Sequence, residues 1–166
     1  MQFSKDRIER RIFVNSMSDI AYWKEEWMEK VLDRIRENPG HNFLFLTKHP
    51  EIYYDYFWPE NVWLGVTATT NDELRLAYTI LMNTSLDENL CFVSIEPILE
   101  PIEAHDWLGG WDWIIVGAET GYRRDKVIPQ REWIDPLLTF KIPIFMKDSL
   151  KPLYGYLENW RQFPNV

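Results

Sequence analysis

Short polar and charged side chains stand directly after each of the apolar runs in this sequence. Asn15, Ser16, Ser18 and Asp19 follow the first run, Thr47, Lys48 and His49 the second, and Thr67, Thr69 and Thr70 the third. Ser94 and Glu96 end the fourth, Glu119 and Thr120 follow the fifth, and Lys147, Asp148 and Ser149 follow the sixth. Brought together, these carboxylates (Asp19, Glu96, Glu119, Asp148), ammonium groups (Lys48, Lys147) and hydroxyls would orient a small zwitterion or perform acid/base chemistry. Short polar residues after strands also cap helices, which is the preferred reading for Ser18, Asp19, Thr70 and Asn71. Lys48, Glu96 and Lys147 make poor caps, and long charged side chains leaving apolar runs need partners. The candidate ligand-binding set is Asn15, Ser16, Lys48, Thr67, Thr69, Ser94, Glu96, Glu119 and Lys147. No individual catalytic role is assigned.

Other constellations carry less. Gly117 to Gly121 form a Gly-flanked loop followed by Tyr122, Arg123 and Arg124, but there is no Walker lysine or Rossmann glycine pattern, so a tight turn with solvated arginines is the better reading. His41, His49 and His105 lack metal-ligand spacing, and no serine stands in a nucleophile elbow. Neither a metalloenzyme nor a hydrolase is indicated.

The elements that must position the polar set are strands. Arg11 to Val14, Asn42 to Leu46, Val62 to Val66, Leu90 to Ile95, Trp113 to Val116 and Pro143 to Met146 are apolar, β-branched or aromatic, and bounded by turn residues, as buried parallel strands are. The connections are long enough for right-handed crossovers. In the first, Trp23, Trp27, Val31 and Ile35 recur at helical spacing with Met28 and Leu32, after a cap at Ser18 or Asp19 and before a stop at Asn38, Pro39 and Gly40. The third predicts a helix from Asn71 to about Asn83, capped by Asn71, with Leu74, Tyr78 and Leu81 on one face. Pro50 to Phe57 is short, Pro101 to Gly110 holds a turn or two, and Pro136 interrupts the segment from Gln130. The expected fold is α/β, an incomplete TIM-barrel-like (β/α)6 parallel sheet in a single partial-barrel domain, 1–166. The 166 residues fall short of the roughly 250 of a complete barrel. Ligands of such folds bind at the carboxyl ends of the strands, so the polar residues would share one rim.

Composition narrows the classes. A net charge of −8 opposes a protein that tracks a phosphate backbone, and the densest basic stretch, Lys5, Arg7, Arg10 and Arg11, is interrupted by Asp6 and Glu9. No apolar run approaches the roughly 18 residues of a membrane span, and nothing reads as a signal peptide, so a cytoplasmic protein is expected. Nine Trp, eight Tyr and nine Phe imply large rings in the core or at an interface. Trp58, Trp63, Trp107, Trp111 and Trp160 fall near or beyond element ends and would offer apolar surface to a partner. Cys91 is the only cysteine, which excludes an internal disulfide and a thiolate cluster held by these residues alone.

Six segments in order, RIFVNSMSD from Arg11, FLTKHP from Phe45, NVWLGVT from Asn61, FVSIEP from Phe92, WDWIIVGAETG from Trp111 and FMK from Phe145, carry a resemblance over nearly the whole chain. They resemble a phage-associated family of unknown function, itself similar in pattern to the spore-photoproduct-lyase-like branch of the radical SAM superfamily. That resemblance implies an additional N-terminal region whose cysteines hold a four-iron, four-sulfur cluster, with S-adenosylmethionine as the ligand. The present sequence holds no such cysteines, so the expectation is a non-autonomous barrel portion without its own cluster, binding no cofactor by itself. Ser16, Lys48, Thr67, Glu96, Glu119 and Lys147 would stand at its barrel mouth. The alternatives are a cluster-free module for a nucleotide-like or amino-acid-like ligand, and a phage or mobile-element interaction protein. An open barrel exposes strand edges, so a homo-oligomer or a cysteine-bearing partner chain is expected to complete it, the competing reading being that the aromatic rings pack internally and the chain's own terminal arms shield the edges.

Overall fold

The computed structural model describes residues 9–82 and 88–165. Lys5, Asp6, Arg7 and Asn83 lie outside them. Strands β1 (Arg11–Phe13), β2 (Asn42–Thr47), β3 (Val62–Thr67), β4 (Leu90–Ile95), β5 (Trp113–Val116) and β6 (Ile144–Met146) form a six-stranded, all-parallel sheet in the order of the chain. All of the strands expected from composition are present, with ends that differ by a residue at four of them.

The sheet curls into a half-barrel whose two faces differ. Its outer face presents Phe43, Phe45, Leu64, Val66, Val93, Ile95, Ile114, Val116 and Met146 to the main core, where helices α1 (Glu25–Arg36) and α2 (Asn71–Met82) pack. The inner face carries a second cluster of Leu44, Trp63, Phe92, Trp113 and Ile115, flanked by Leu46, Leu90 and Phe145. Large apolar side chains on both sides of β2 to β6 explain why these runs lack hydrophobic alternation, whereas β1, expected as a buried strand, is an edge strand with Arg11 and Phe13 exposed.

The helices differ in detail from expectation. Helix α1 starts at Glu25 with no side-chain cap, because Asp19 caps a separate 3-10 turn, Ile20–Tyr22, by accepting from Ala21 N. Its buried stripe is Met28, Leu32 and Ile35, while Trp27 is 48% exposed, since residues four apart drift around a 3.6-residue helix. Asn71 is not the cap of α2. Thr70 Oγ1 accepts from Glu73 N, and Asn71 instead ties α2 to the chain after β4 through Glu100, Pro101 and Glu103. The remaining connections are not full helices. Pro50–Asp55 and Asp106–Gly110 are 3-10 turns, and after β5 a single α-turn, α3 (Arg131–Ile134), passes at Pro136 into the 3-10 turn Asp135–Thr139. Asp148–Leu150 and α4 (Lys151–Tyr154) follow β6.

The tryptophans expected at an interface pack inward. Trp63 and Trp111 are buried, and Trp58, Trp107 and Trp160 lie against the main core, because each ring finds an aromatic or aliphatic neighbour in its own chain. Nor does β6 present an open edge. Gln162 donates its N–H to Ile144 O (3.0 Å) and accepts from Ile144 N through Oε1 (3.1 Å), and Phe145 bridges Arg161 in antiparallel fashion. Among the described residues no strand pairs with the outer side of β1, and no helix is long and apolar enough to cross a membrane.

Candidate functional site

Strand register determines which side chains meet inside the curl. Leu46 pairs with Gly65, Gly65 with Phe92 and Phe92 with Trp113, while Thr67 pairs with Ser94, Ser94 with Ile115 and Ile115 with Phe145. The alternation of strand side chains then sets Glu96 and Lys147 above Ser94 and Phe145 on the same face. The result is a tiered wall, with Leu46, Phe92 and Trp113 lowest, Thr67, Ser94, Ile115 and Phe145 at the next level, and Glu96 and Lys147 above them. A cavity of about 800 Å³ lies against it.

Seven of the sequence-derived candidates line this cavity: Asn15, Ser16, Lys48, Thr67, Ser94, Glu96 and Lys147. Asn15 is buried and continues the β1–β2 ladder with its side chain, donating to Leu46 O (2.6 Å) and accepting from Leu46 N (3.1 Å). Lys147 Nζ lies 3.0 Å from Glu96 Oε2, so the long charged side chains after β4 and β6 find each other. Gly117 makes room for that pair, since a Cβ there would stand 2.9 Å from Glu96 Oε1 and 3.1 Å from its Cδ.

Two candidates are turned elsewhere. Thr69 donates through both N and Oγ1 to Glu73 Oε2 (2.7 Å each), fastening the start of α2. Glu119 accepts from Val127 N (3.0 Å) and lies 3.4 Å from Arg123, so it organises its own loop. Arg123 also pairs with Asp125 at 3.1 Å, in keeping with a solvated turn.

Asp19 does more than cap. It accepts from Thr47 Oγ1 (2.6 Å), Lys48 N (2.9 Å) and Ala21 N (3.0 Å), clamping the end of β2 to the segment after β1 at the cavity wall. Partial burial pushes this carboxyl up, but hydrogen bonds from Thr47, Lys48 and Ala21 outweigh it and hold the group below the usual carboxylate range. A carboxyl depressed on folding contributes stability that is complete above the unfolded value of about 3.9 and is lost as pH falls through the lower folded value. We therefore expect the urea midpoint of the wild-type chain to fall in that acid window and that of Asp19→Asn to fall less. Parallel acid dependence of the two would remove Asp19 from the account.

The lining also includes residues outside the candidate ligand-binding set. Phe13, Trp113, Ile115, Phe145 and Phe163 supply apolar surface, and Tyr22 and His49 stand at the edge with Tyr22 Oη 3.2 Å from His49 Nε2. Phe13 and Phe145 lie two residues before Asn15 and Lys147, so strand alternation was a usable signal for them. Phe163 carries no local signal. Among the described residues no group of three or more His, Cys, Asp or Glu side chains could hold a metal ion.

Fold and site together define the class: a parallel α/β half-barrel with an aromatic-floored cavity at the carboxyl ends of its strands. The family described as proteins of unknown function, DUF5131, matches residues 2–143, and the chain belongs to that family. No curated protein and no solved structure matches the chain.

Proposed function

We propose that this chain binds a small nucleotide-like or amino-acid-like ligand in the half-barrel cavity. The observation that carries the reading is the mixed wall of the cavity, in which the rings of Phe13, Trp113, Phe145 and Phe163 line it together with Ser94, Glu96 and Lys147. Flat apolar groups bind against such rings, and a few convergent polar groups then orient them. On this reading the curled sheet is the open part of a TIM-like barrel, in a cytoplasmic protein.

The radical SAM-like resemblance fits only in part. Cys91 points to the helix-packed core, outside the cavity lining, and one buried thiol does not replace the three cysteines of a radical SAM cluster. Anaerobic reconstitution of the purified chain should therefore leave iron and sulfide far below one cluster per chain, and about four irons per chain would reverse that conclusion. What the resemblance contributes is a ligand class, S-adenosylmethionine and its relatives, together with its phage association. On this reading a cysteine-bearing partner or a second copy completes the barrel on the β1 side, where no strand pairs among the described residues, since the C-terminal segment already covers β6.

Calorimetry with S-adenosylmethionine, S-adenosylhomocysteine and adenine nucleotides tests the binding reading. Charge-assisted hydrogen bonds contribute about 1.5–3 kcal/mol, so Glu96→Gln and Lys147→Met should each weaken binding about 10- to 150-fold. Gly117→Ala should act in the same direction by displacing Glu96. Absence of binding by every ligand, or unchanged affinity in both charge variants, would defeat the proposal.

A further inference from the structure

We infer that the β1–β2 end of the cavity is an oxyanion site and that the ligand is a planar heterocycle carrying a phosphate ester, of the nucleoside monophosphate class. This rests on the ligand-binding reading above and deepens it. Some polar groups of the lining are already engaged within the protein, and others are left to a ligand.

The acceptors at this end are engaged. Asp19 receives hydrogen bonds from Thr47, Lys48 N and Ala21 N, Asn15 is held by both polar groups of Leu46, and Ser18 Oγ accepts from Trp23 Nε1 at 3.0 Å. Glu73, the carboxylate behind Lys48, is engaged by Thr69 N and Oγ1. Glu51 lies 3.6 Å from His49 Nδ1, on the ring nitrogen opposite the one that meets Tyr22. The Lys48 ammonium and the Ser16 hydroxyl line the cavity and, among the described residues, make no side-chain hydrogen bond or ion pair, although the Lys48 charge, after the Thr69 hydrogen bonds, is near enough to help hold the Glu73 carboxyl below the usual carboxylate range. These are donor groups, and His49 and Tyr22 stand beside them.

The opposite wall is different, because Glu96 and Lys147 balance each other there. An ammonium that presents three donors, next to a hydroxyl, suits an acceptor-only group with several oxygens, which a phosphate ester is. The neutral Glu96–Lys147 pair suits the mixed donor and acceptor edge of a heterocycle lying on the aromatic floor. Strands β2 and β6 stand four inter-strand steps apart, about 19 Å along the sheet and less across the curl, which leaves room for a ring, a sugar and one phosphate between the two polar ends.

Calorimetry with adenosine, adenosine monophosphate, inorganic phosphate and S-adenosylmethionine provides the test, with circular dichroism melting to confirm that each variant is folded. Adenosine monophosphate should bind about 10- to 100-fold more tightly than adenosine, and inorganic phosphate should compete weakly with it. Lys48→Met should abolish most of that difference by weakening adenosine monophosphate far more than adenosine, Lys48→Arg should retain it, and Ser16→Ala should reduce it. Glu96→Gln should weaken nucleoside and nucleotide alike. Equal binding of adenosine and its monophosphate overturns the oxyanion site and leaves the cavity reading standing. So does tighter binding of S-adenosylmethionine, whose charged end is an amino acid, or a Lys48→Met variant that weakens both adenine ligands equally. If none of the probes binds, this inference and the reading beneath it fail together.

Discussion

Replacing Gly65 by alanine is expected to destabilise the fold by about 2–3 kcal/mol, the upper part of the range for overpacking a well-filled core. Gly65 sits on the inner face of β3 beside Phe92, and a Cβ there would stand 2.1 Å from Phe92 Cζ and 2.5 Å from each Cε. The ring has nowhere to retreat. Phe92 is fully buried, with Trp113 at 5.3 Å and Phe13 at 6.4 Å between ring centroids. Backbone movement is also resisted, because Gly65 O accepts from the buried Tyr53 hydroxyl at 2.7 Å. Urea denaturation should show the lower midpoint with an unchanged slope. Phe92→Leu should destabilise the wild-type chain through a cavity, yet recover part of the loss in the Gly65→Ala background. An unaltered midpoint for Gly65→Ala would mean that Phe92 does not pack against the Gly65 backbone.

Ending the chain at Trp160 should have a comparable or larger effect, on the order of 3–5 kcal/mol, and should abolish ligand binding. The segment removed closes one side of the curl. Gln162 exchanges two hydrogen bonds with Ile144 and accepts a third from Trp113 Nε1 at 2.9 Å, each contributing about 1 kcal/mol. Phe163 lies 5.4 Å from Trp113 and 5.3 Å from Phe145, and the Arg11 guanidinium stands 4.3 Å from its centroid. Such ring and cation contacts add about 0.5–1.5 kcal/mol each. Arg161 joins this segment to Asp148 after β6. Phe163→Ala is the milder form of the experiment, since it keeps every backbone hydrogen bond and removes only the ring from the cavity wall. It should fold and bind about 10-fold more weakly. Full affinity in Phe163→Ala, or a truncated chain as stable as the whole, would show that the C-terminal segment is not part of the site.

The strands were legible because their signal is local. A parallel strand covered on both faces is a run such as FLFL or WIIV whatever its neighbours do, and the turn residues at its ends mark where the chain leaves the sheet. The polar rim was legible for a related reason, since a long charged side chain directly after such a run, as at Lys48, Glu96 and Lys147, has few places to go but the mouth. Helix propensity and capping were less decisive. Thr70 and Asn71 are both plausible caps in sequence, and only the chain after β4, with Glu100 and Glu103 in reach, draws Asn71 away from that role.

The amino-acid sequence by itself determined a parallel α/β fold and most of the polar residues at one end of it, because both follow from side-chain type at adjacent positions. Tertiary structure alone decided what faces them. Thr69 and Glu119 are as polar as Thr67 and Glu96, but Glu73 and the loop around Val127 satisfy them outside the cavity. Phe163 becomes a wall only because an antiparallel bridge returns the C-terminal segment to β6, and Gly65 is needed only because register sets it against Phe92. These are consequences of curl, register and long-range pairing, which join residues far apart in the chain and leave no periodicity for a sequence to display.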